Sequence, residues 1–292
     1  MHGPERSIRR ILVALDAGPD YHAPLQRGAE LARALGAELG VLFIEDANLF
    51  RLCELPAAQI AFGSRAWNRL EARTLEHELR ARAAEARASL ERIAQVAELA
   101  WSFQVWRGRA EDAIQEAARH ADLVSLSRAL HPFAGRPPQG RPGRLLRPAS
   151  AAVVALFEFE TELGDAGRVL TIAARLAGSQ SVPLTVIAPG NSGAAARRAR
   201  RAAEQRLLEL GVSAAWRGVR EDREAILRVL QAANARLLVL GARGPSVTAG
   251  WLNEMLRATG AQALLVGGRA TEQAAEEPVE SPTDQPTRPR HR

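Results

Sequence analysis

Lysine is absent from this sequence: all 39 basic residues are arginine. Arginine stays charged at any accessible pH, so a net charge of only +6 is enough to produce an isoelectric point of about 10.9. The basic residues are also interleaved with acids, as in Glu78, Arg80, Arg82, Glu85 and Arg87. The high pI is therefore read as a mark of an alanine- and arginine-rich composition, of the kind a GC-rich bacterial coding sequence produces. Nucleic acid is not the expected partner. Cysteine is nearly absent as well. Cys53 is the single thiol, which excludes an intramolecular disulfide and agrees with a reducing cytoplasm. No apolar stretch approaches the ~20 residues of a membrane span, and the N-terminus shows no signal-peptide core. The expected location is the cytoplasm, with no membrane partner.

Catalytic and metal-binding signatures are missing too. His22, His77, His120 and His131 have no spacing that suggests a metal site. No Gly-x-Ser-x-Gly elbow or Cys/His pairing occurs. The carboxylates fall mostly on helix faces with arginines at i,i+4, which is ordinary solvated surface. The expectation is a protein without enzymatic activity.

What is present is a regular alternation of apolar strands and helices. With 292 residues and 47% hydrophobic content, the chain is long enough for about two domains. Ile11 to Leu15 is a continuous apolar run, as in a buried parallel strand. A helix from about His22 to Leu35 follows, closed by Gly36 as its C′ residue, and then a strand from Leu39 to Ile44. This is a βαβ unit. Residues 46–68 read as irregular. A charged helix is expected from about Leu70 to Val96, with further strands at Trp101–Trp106 and Leu123–Leu126 and a Pro-, Gly- and Arg-rich loop from His131 to Pro148.

The second half repeats this order. Strands are expected at Val153–Phe157, Leu184–Ala188, Ser213–Arg217, Leu237–Leu240 and Ala263–Val266. Helices are expected at about Gly167–Ala177, from Asn191 or Ser192 to Leu210, and at Glu221–Ala233 and Thr248–Thr259. From Thr271 onward the composition is too polar to bury a core, so the tail is expected to be disordered. Two local matches recur in the same order and argue for duplication. Trp106-Arg-Gly108 with Glu111-Asp112 and Ala113-Ile114 recurs as Trp216-Arg-Gly218 with Glu221-Asp222 and Ala225-Ile226. Leu31 to Leu35 before strand Leu39–Ile44 recurs as Ala173 to Leu176 before strand Leu184–Ala188.

These residues resemble the universal stress protein family in tandem, two-domain form. The first half carries Ile11-Leu-Val-Ala-Leu-Asp16, Gly28-Ala-Glu-Leu-Ala32, Leu35-Gly-Ala-Glu-Leu39 and Val41-Leu-Phe-Ile44. The second carries Leu237-Leu-Val-Leu-Gly-Ala-Arg-Gly244 and Ala261-Gln-Ala-Leu-Leu-Val266. The resemblance covers about residues 9–267. It implies an α/β fold of two tandem doubly wound parallel-sheet units, Rossmann-like and of the adenine-nucleotide α-hydrolase-like type. The expected divisions are 1–148 and 149–268, with a disordered tail at 269–292. Each unit would have strand order 3-2-1-4-5, and a ligand would sit where that order reverses.

Nucleotide-binding members of the family use an acid after the first strand. After the fourth strand they carry a motif of Gly, two residues, Gly, nine residues, Gly, then Ser or Thr. The glycines let backbone N–H groups reach the phosphates. Here the first half has the acid, Asp16, but Ser127 and Leu130 stand at the paired glycine positions. Gly140 falls on the third, followed by Arg141. The second half has Gly241 and Gly244, but Glu254 and Met255 close its motif, and its acid position falls near Glu158. With Ile44 at the end of the second strand, Asp16, Gly241 and Gly244 are the candidate nucleotide-binding residues, and ATP or AMP is the candidate ligand. Asp16 also reads as a turn acid, and Gly241 and Gly244 as a tight turn needing positive φ.

The expected function is protein contact in stress response or regulation, with a degenerate nucleotide site and with a protein partner or a second copy as the counterpart. An ATP- or AMP-binding module on the Gly241–Gly244 loop is the alternative. Arg197, Arg198, Arg200 and Arg201 read as a solvated helix spread over more than one face. The apolar segment Leu49–Phe62 reads as a cap over the core or as a lid or partner surface. Val153–Phe157 could be the last strand of the first unit or the first strand of the second.

Overall fold

The computed structural model describes residues 8–18, 21–53, 59–60, 68–69, 72–126, 152–157, 163–190, 193–220, 222–242 and 248–267. Ser127, Leu130, Gly140, Arg141, Glu158, Gly244 and the tail from 268 lie outside these residues. In chain order the elements are β1 (Arg10–Asp16), α1 (His22–Leu35), β2 (Glu38–Asp46), α2 (Ala47–Leu52), β3 (Gln59–Ile60), β4 (Asn68–Arg69), α3 (Ala72–Ala97), β5 (Trp101–Gly108), α4 (Ala110–His120) and β6 (Leu123–Leu126). They continue with β7 (Ala152–Leu156), α5 (Leu163–Gln180), β8 (Leu184–Pro189), α6 (Ala194–Glu209), β9 (Ala214–Val219), α7 (Arg223–Ala232), β10 (Ala235–Gly241), α8 (Ala249–Thr259) and β11 (Gln262–Val266).

Nine of the strands form one sheet in the order β5-β2-β1-β6-β11-β10-β7-β8-β9. Every neighbouring pair is parallel except β6 and β11, which are antiparallel. The expected strand order is visible on both sides of that joint. The first half runs 3-2-1-4 and the second 3-2-1-4-5. The junction question is resolved: β7 pairs with β8 and β10, so it is the first strand of the second set. Among the described residues the first half has no fifth strand. Strand β11 takes the place beside β6 instead.

The buried strands read as unbroken apolar runs because the sheet is covered on both faces. Along β1, Ile11, Val13 and Leu15 enter one core, while Leu12 and Ala14 enter the other. Helices α1, α3, α5 and α6 pack in the first core and α4, α7 and α8 in the second. Each core draws residues from both halves of the chain, so the halves do not bury separate interiors. Gly36 closes α1 as expected: its φ of 63° is left-handed, and its N–H reaches the Ala32 and Arg33 carbonyls.

The two sequence matches fare differently. Ile11 pairs with Leu39 and Val153 with Leu184, so Leu39 and Leu184 are equivalent. The Trp-Arg-Gly triplets are not. Leu39 pairs with Trp101 and Leu184 with Ala214, which makes Trp216 the counterpart of Phe103 rather than of Trp106. The two tryptophans consequently lie against opposite faces of the sheet. A strand alternates faces every residue, so an offset of three moves the side chain across. Helix α2, in a stretch read as irregular, is a further difference. It is too short to show periodicity, and it starts because the Asp46 carboxylate accepts the Asn48 N–H at 2.9 Å.

Candidate functional site

In a doubly wound sheet the crevice lies at the carboxyl ends of the strands. The antiparallel joint between β6 and β11 reverses the direction of the second set of strands relative to the first. The carboxyl ends of β1, β2, β5 and β6 therefore point to one edge of the sheet, and those of β7 to β11 in the second set point to the opposite edge. Asp16, at the end of β1, and Gly241, at the end of β10, are on opposite edges. These two candidate residues therefore cannot combine into one site.

At the first edge Asp16 behaves as a turn acid. Its Oδ1 accepts the Gly18 N–H at 3.1 Å. The same turn is tied from α3, where Arg82 Nη1 donates to the Ala17 carbonyl at 2.7 Å. Ile44, opposite Asp16 in the β1–β2 register, is buried in the core that also holds α4. Its side chain is packed in that core.

Beside it stands a polar cluster that local sequence patterns did not signal. Arg107 on β5 is opposite Glu45 on β2. Its guanidinium donates to Glu45 at 2.8 Å and to Glu76 on α3 at 3.3 Å, and lies 5.1 Å over the Phe50 ring on α2. One side chain thus ties four elements. The hydrogen bond to Glu45 raises the guanidinium above its ordinary value; burial opposes this, and the charges of Glu45 and Glu76 add to it. Helix α2 also sends Leu49 into the core. Within the 49–62 segment, Leu49 thus covers the core. The next residue on β5, Trp106, folds its indole N–H over Gly108, where a Cβ would lie 2.8 Å from Nε1. This close approach explains the glycine of the first Trp-Arg-Gly.

The Arg107 cluster makes a prediction. Arg107→Ala removes the clamp on α2, and amide exchange in residues 47–53 should rise about tenfold, equivalent to ~1.4 kcal/mol. Half of the Arg107 side chain is exposed, which keeps the ionic share small. Unchanged exchange in 47–53 would show that α2 is held by Leu49 alone.

At the second edge Gly241 is the last residue of β10, opposite Val266 of β11. It is not among the positive-φ residues, which corrects the tight-turn reading for this position. A Cβ there would meet only Val169 Cγ2 at an ordinary 3.8 Å. Neither backbone conformation nor crowding demands a glycine.

Between the edges the joint has its own polar fastening. The Asp122 carboxylate, just before β6, accepts the Arg9 N–H at 2.9 Å and the Arg10 N–H at 3.1 Å. Arg168 on α5 reaches it at 3.6 Å and donates to the Gly267 carbonyl at 2.8 Å. At the other end of the joint, Gln262 Nε2 donates to Ser125 Oγ at 2.8 Å. Among the described residues, no group of three or more His, Cys, Asp or Glu side chains could hold a metal ion, and no helix is long and apolar enough to cross a membrane.

These features define a mixed α/β protein with a mostly parallel, doubly wound sheet and one antiparallel joint. Solved structures similar to this chain include universal stress proteins. One from Archaeoglobus fulgidus DSM 4304 matches with a TM-score of 0.55 and 13% identity, covering 88% of this chain and 96% of its own. That likeness, over nearly the whole of both chains, establishes the universal-stress type of fold here. A universal stress protein solved in complex with cAMP aligns over 40% of this chain and 97% of its own, at 21% identity and a TM-score of 0.32. Another from Archaeoglobus fulgidus aligns over 39% of this chain and 90% of its own, at 17% identity and a TM-score of 0.32. No protein-family model and no curated protein sequence matches the chain.

Proposed function

We propose that this chain is a tandem, bacterial member of the universal stress protein family. It works in the cytoplasm, without catalysis, through contacts with other proteins in stress response or regulation, and its nucleotide sites have degenerated. The observation that carries this reading is the placement of Asp16 and Gly241 on opposite edges of one sheet. Each edge retains only part of the nucleotide motif, and the joint prevents one edge from supplying what the other lacks. Calorimetric titration of the full chain with ATP and Mg²⁺ tests it: no saturable heat is expected below millimolar nucleotide. Micromolar binding that Gly241→Val abolishes would overturn it.

A second reading has its own observation in support. Glycine at 241 is required neither by φ nor by packing, and a ligand phosphate approaching the backbone would supply the missing reason. In that case ATP or AMP binds at the carboxyl end of β10. Gly241→Ala then separates the two readings, because the added methyl fits the fold and can harm only a ligand.

A further inference from the structure

We infer that the outward face of α6 is a docking surface for the phosphodiester backbone of nucleic acid. A helix turns about 100° per residue. Arg197, Arg201 and Arg198 therefore fall at roughly 0°, 40° and 100° around the α6 axis, a single arc rather than the several faces the bare run suggests. All three are exposed. The buried side of the helix, Ala196, Ala203 and Leu207, lies on the far side of that arc. The fourth arginine of the run turns away. Arg200 stacks 5.3 Å over the Trp216 ring and is bonded to Glu204 at 2.8 Å. The other acid of the helix, Glu209, is bonded to Arg206 at 3.3 Å. The acids near the arc are thus neutralised, and the three outward guanidinium groups have no ion-pair partner among the described residues.

The helix N-terminus adds to the same sign. Gly193 caps it without a side chain, and its first turn contains no acid. The three forks present rigid, paired donors suited to an oxyanion with several oxygens. A partner held by charge alone needs dense, repeating anions, and the phosphodiester backbone provides them. The surface is on α6, which follows the carboxyl end of β8, and none of its three arginines belongs to the candidate nucleotide motif.

The test uses the full-length chain and a fluorescein-labelled 20-base-pair DNA, followed by anisotropy from 50 to 200 mM salt. Expected affinity near 150 mM salt is in the range of sequence-independent binding, about 10⁻⁴–10⁻⁶ M, and it tightens toward 50 mM. Each phosphate contact contributes ~0.9 to the slope of log K against log salt. The variant R197Q/R198Q/R201Q should bind at least tenfold more weakly at low salt, with the slope reduced by about 2 to 3. The variant R27Q/R33Q/R87Q, which removes three exposed arginines of α1 and α3, lowers the net charge equally and should bind within about threefold of the parent. Thermal unfolding of both variants confirms that they are folded. The inference is overturned by no binding at 50 mM salt, by an α6 variant that binds like the parent, or by a control variant that loses as much. Labelled poly-glutamate binding as tightly as the DNA would also overturn it, in favour of an acidic polypeptide.

Discussion

Asp122→Ala should lower the free energy of unfolding by about 3–5 kcal/mol, the range for breaking a buried charged cluster by removing one partner. The side chain is buried and accepts two backbone N–H groups from Arg9 and Arg10. Hydrogen bonds to a charged group contribute about 1.5–3 kcal/mol each, and donors left without an acceptor add their desolvation cost. Arg168, which reaches Asp122 from the other half of the chain, would lose its carboxylate as well. The substitution therefore acts on three things at once: the start of β1, the start of β6 and the contact with α5. Asp122→Asn keeps one acceptor oxygen and should cost about half as much. Urea unfolding measures both, with unchanged m showing that the two ends of the transition are the same states. A loss below about 1 kcal/mol for the alanine variant would mean that the joint is held by strand pairing alone.

Gly267→Ala is expected to be almost as damaging, at about 3 kcal/mol, the upper end of ordinary overpacking. A Cβ at this position would fall against the carbonyl oxygens of Ala118 and Ala121. Those are backbone atoms and cannot rotate away as a side chain can. The glycine cannot retreat either. Its N–H donates to the Asp122 carbonyl at 2.9 Å, and its own carbonyl receives Arg168 at 2.8 Å. The methyl group therefore pushes the end of β11 away from β6, where the two halves meet. Because Gly267 and Asp122 share Arg168, the double variant should lose about 1 kcal/mol less than the two single losses added together. Strict additivity in a double-mutant cycle would show that the two residues stabilise the joint independently. Glycine here serves close approach, whereas Gly36 serves a left-handed turn; only the second is recognisable from its position after a helix.

Much of the fold was legible because it is written in local patterns. The strands show as unbroken apolar runs, since each is covered on both faces, and the helices show their buried stripe. Gly36 marked a helix end correctly. The short helix α2 escaped because six residues give no period to read. The Trp-Arg-Gly doubling misled because identical triplets can sit three residues apart in register, and register is a property of strand pairing rather than of either strand. For the candidate site, Asp16 was correctly placed at the end of β1, and its turn role is what its hydrogen bond to Gly18 shows. Ile44 proved to be core. Arg107 and Glu45 lie 62 residues apart in the chain, and no local rule brings such a pair together.

The sequence by itself determined the α/β class and the two runs of strands. It also placed the candidate acid, Asp16, and the candidate paired glycines, Gly241 and Gly244, in different halves. These depend on periodicity, turn chemistry and composition, which act over a few residues. Only the tertiary structure decided that the two sets of strands share one sheet, that β11 stands beside β6 where the first set has no fifth strand of its own among the described residues, and that the pairing there is antiparallel. That single reversal puts Asp16 and Gly241 on opposite edges. Direction of pairing is set by contacts between distant segments, here Asp122, Arg168, Gly267, Ser125 and Gln262, and these become neighbours only once the chain has folded.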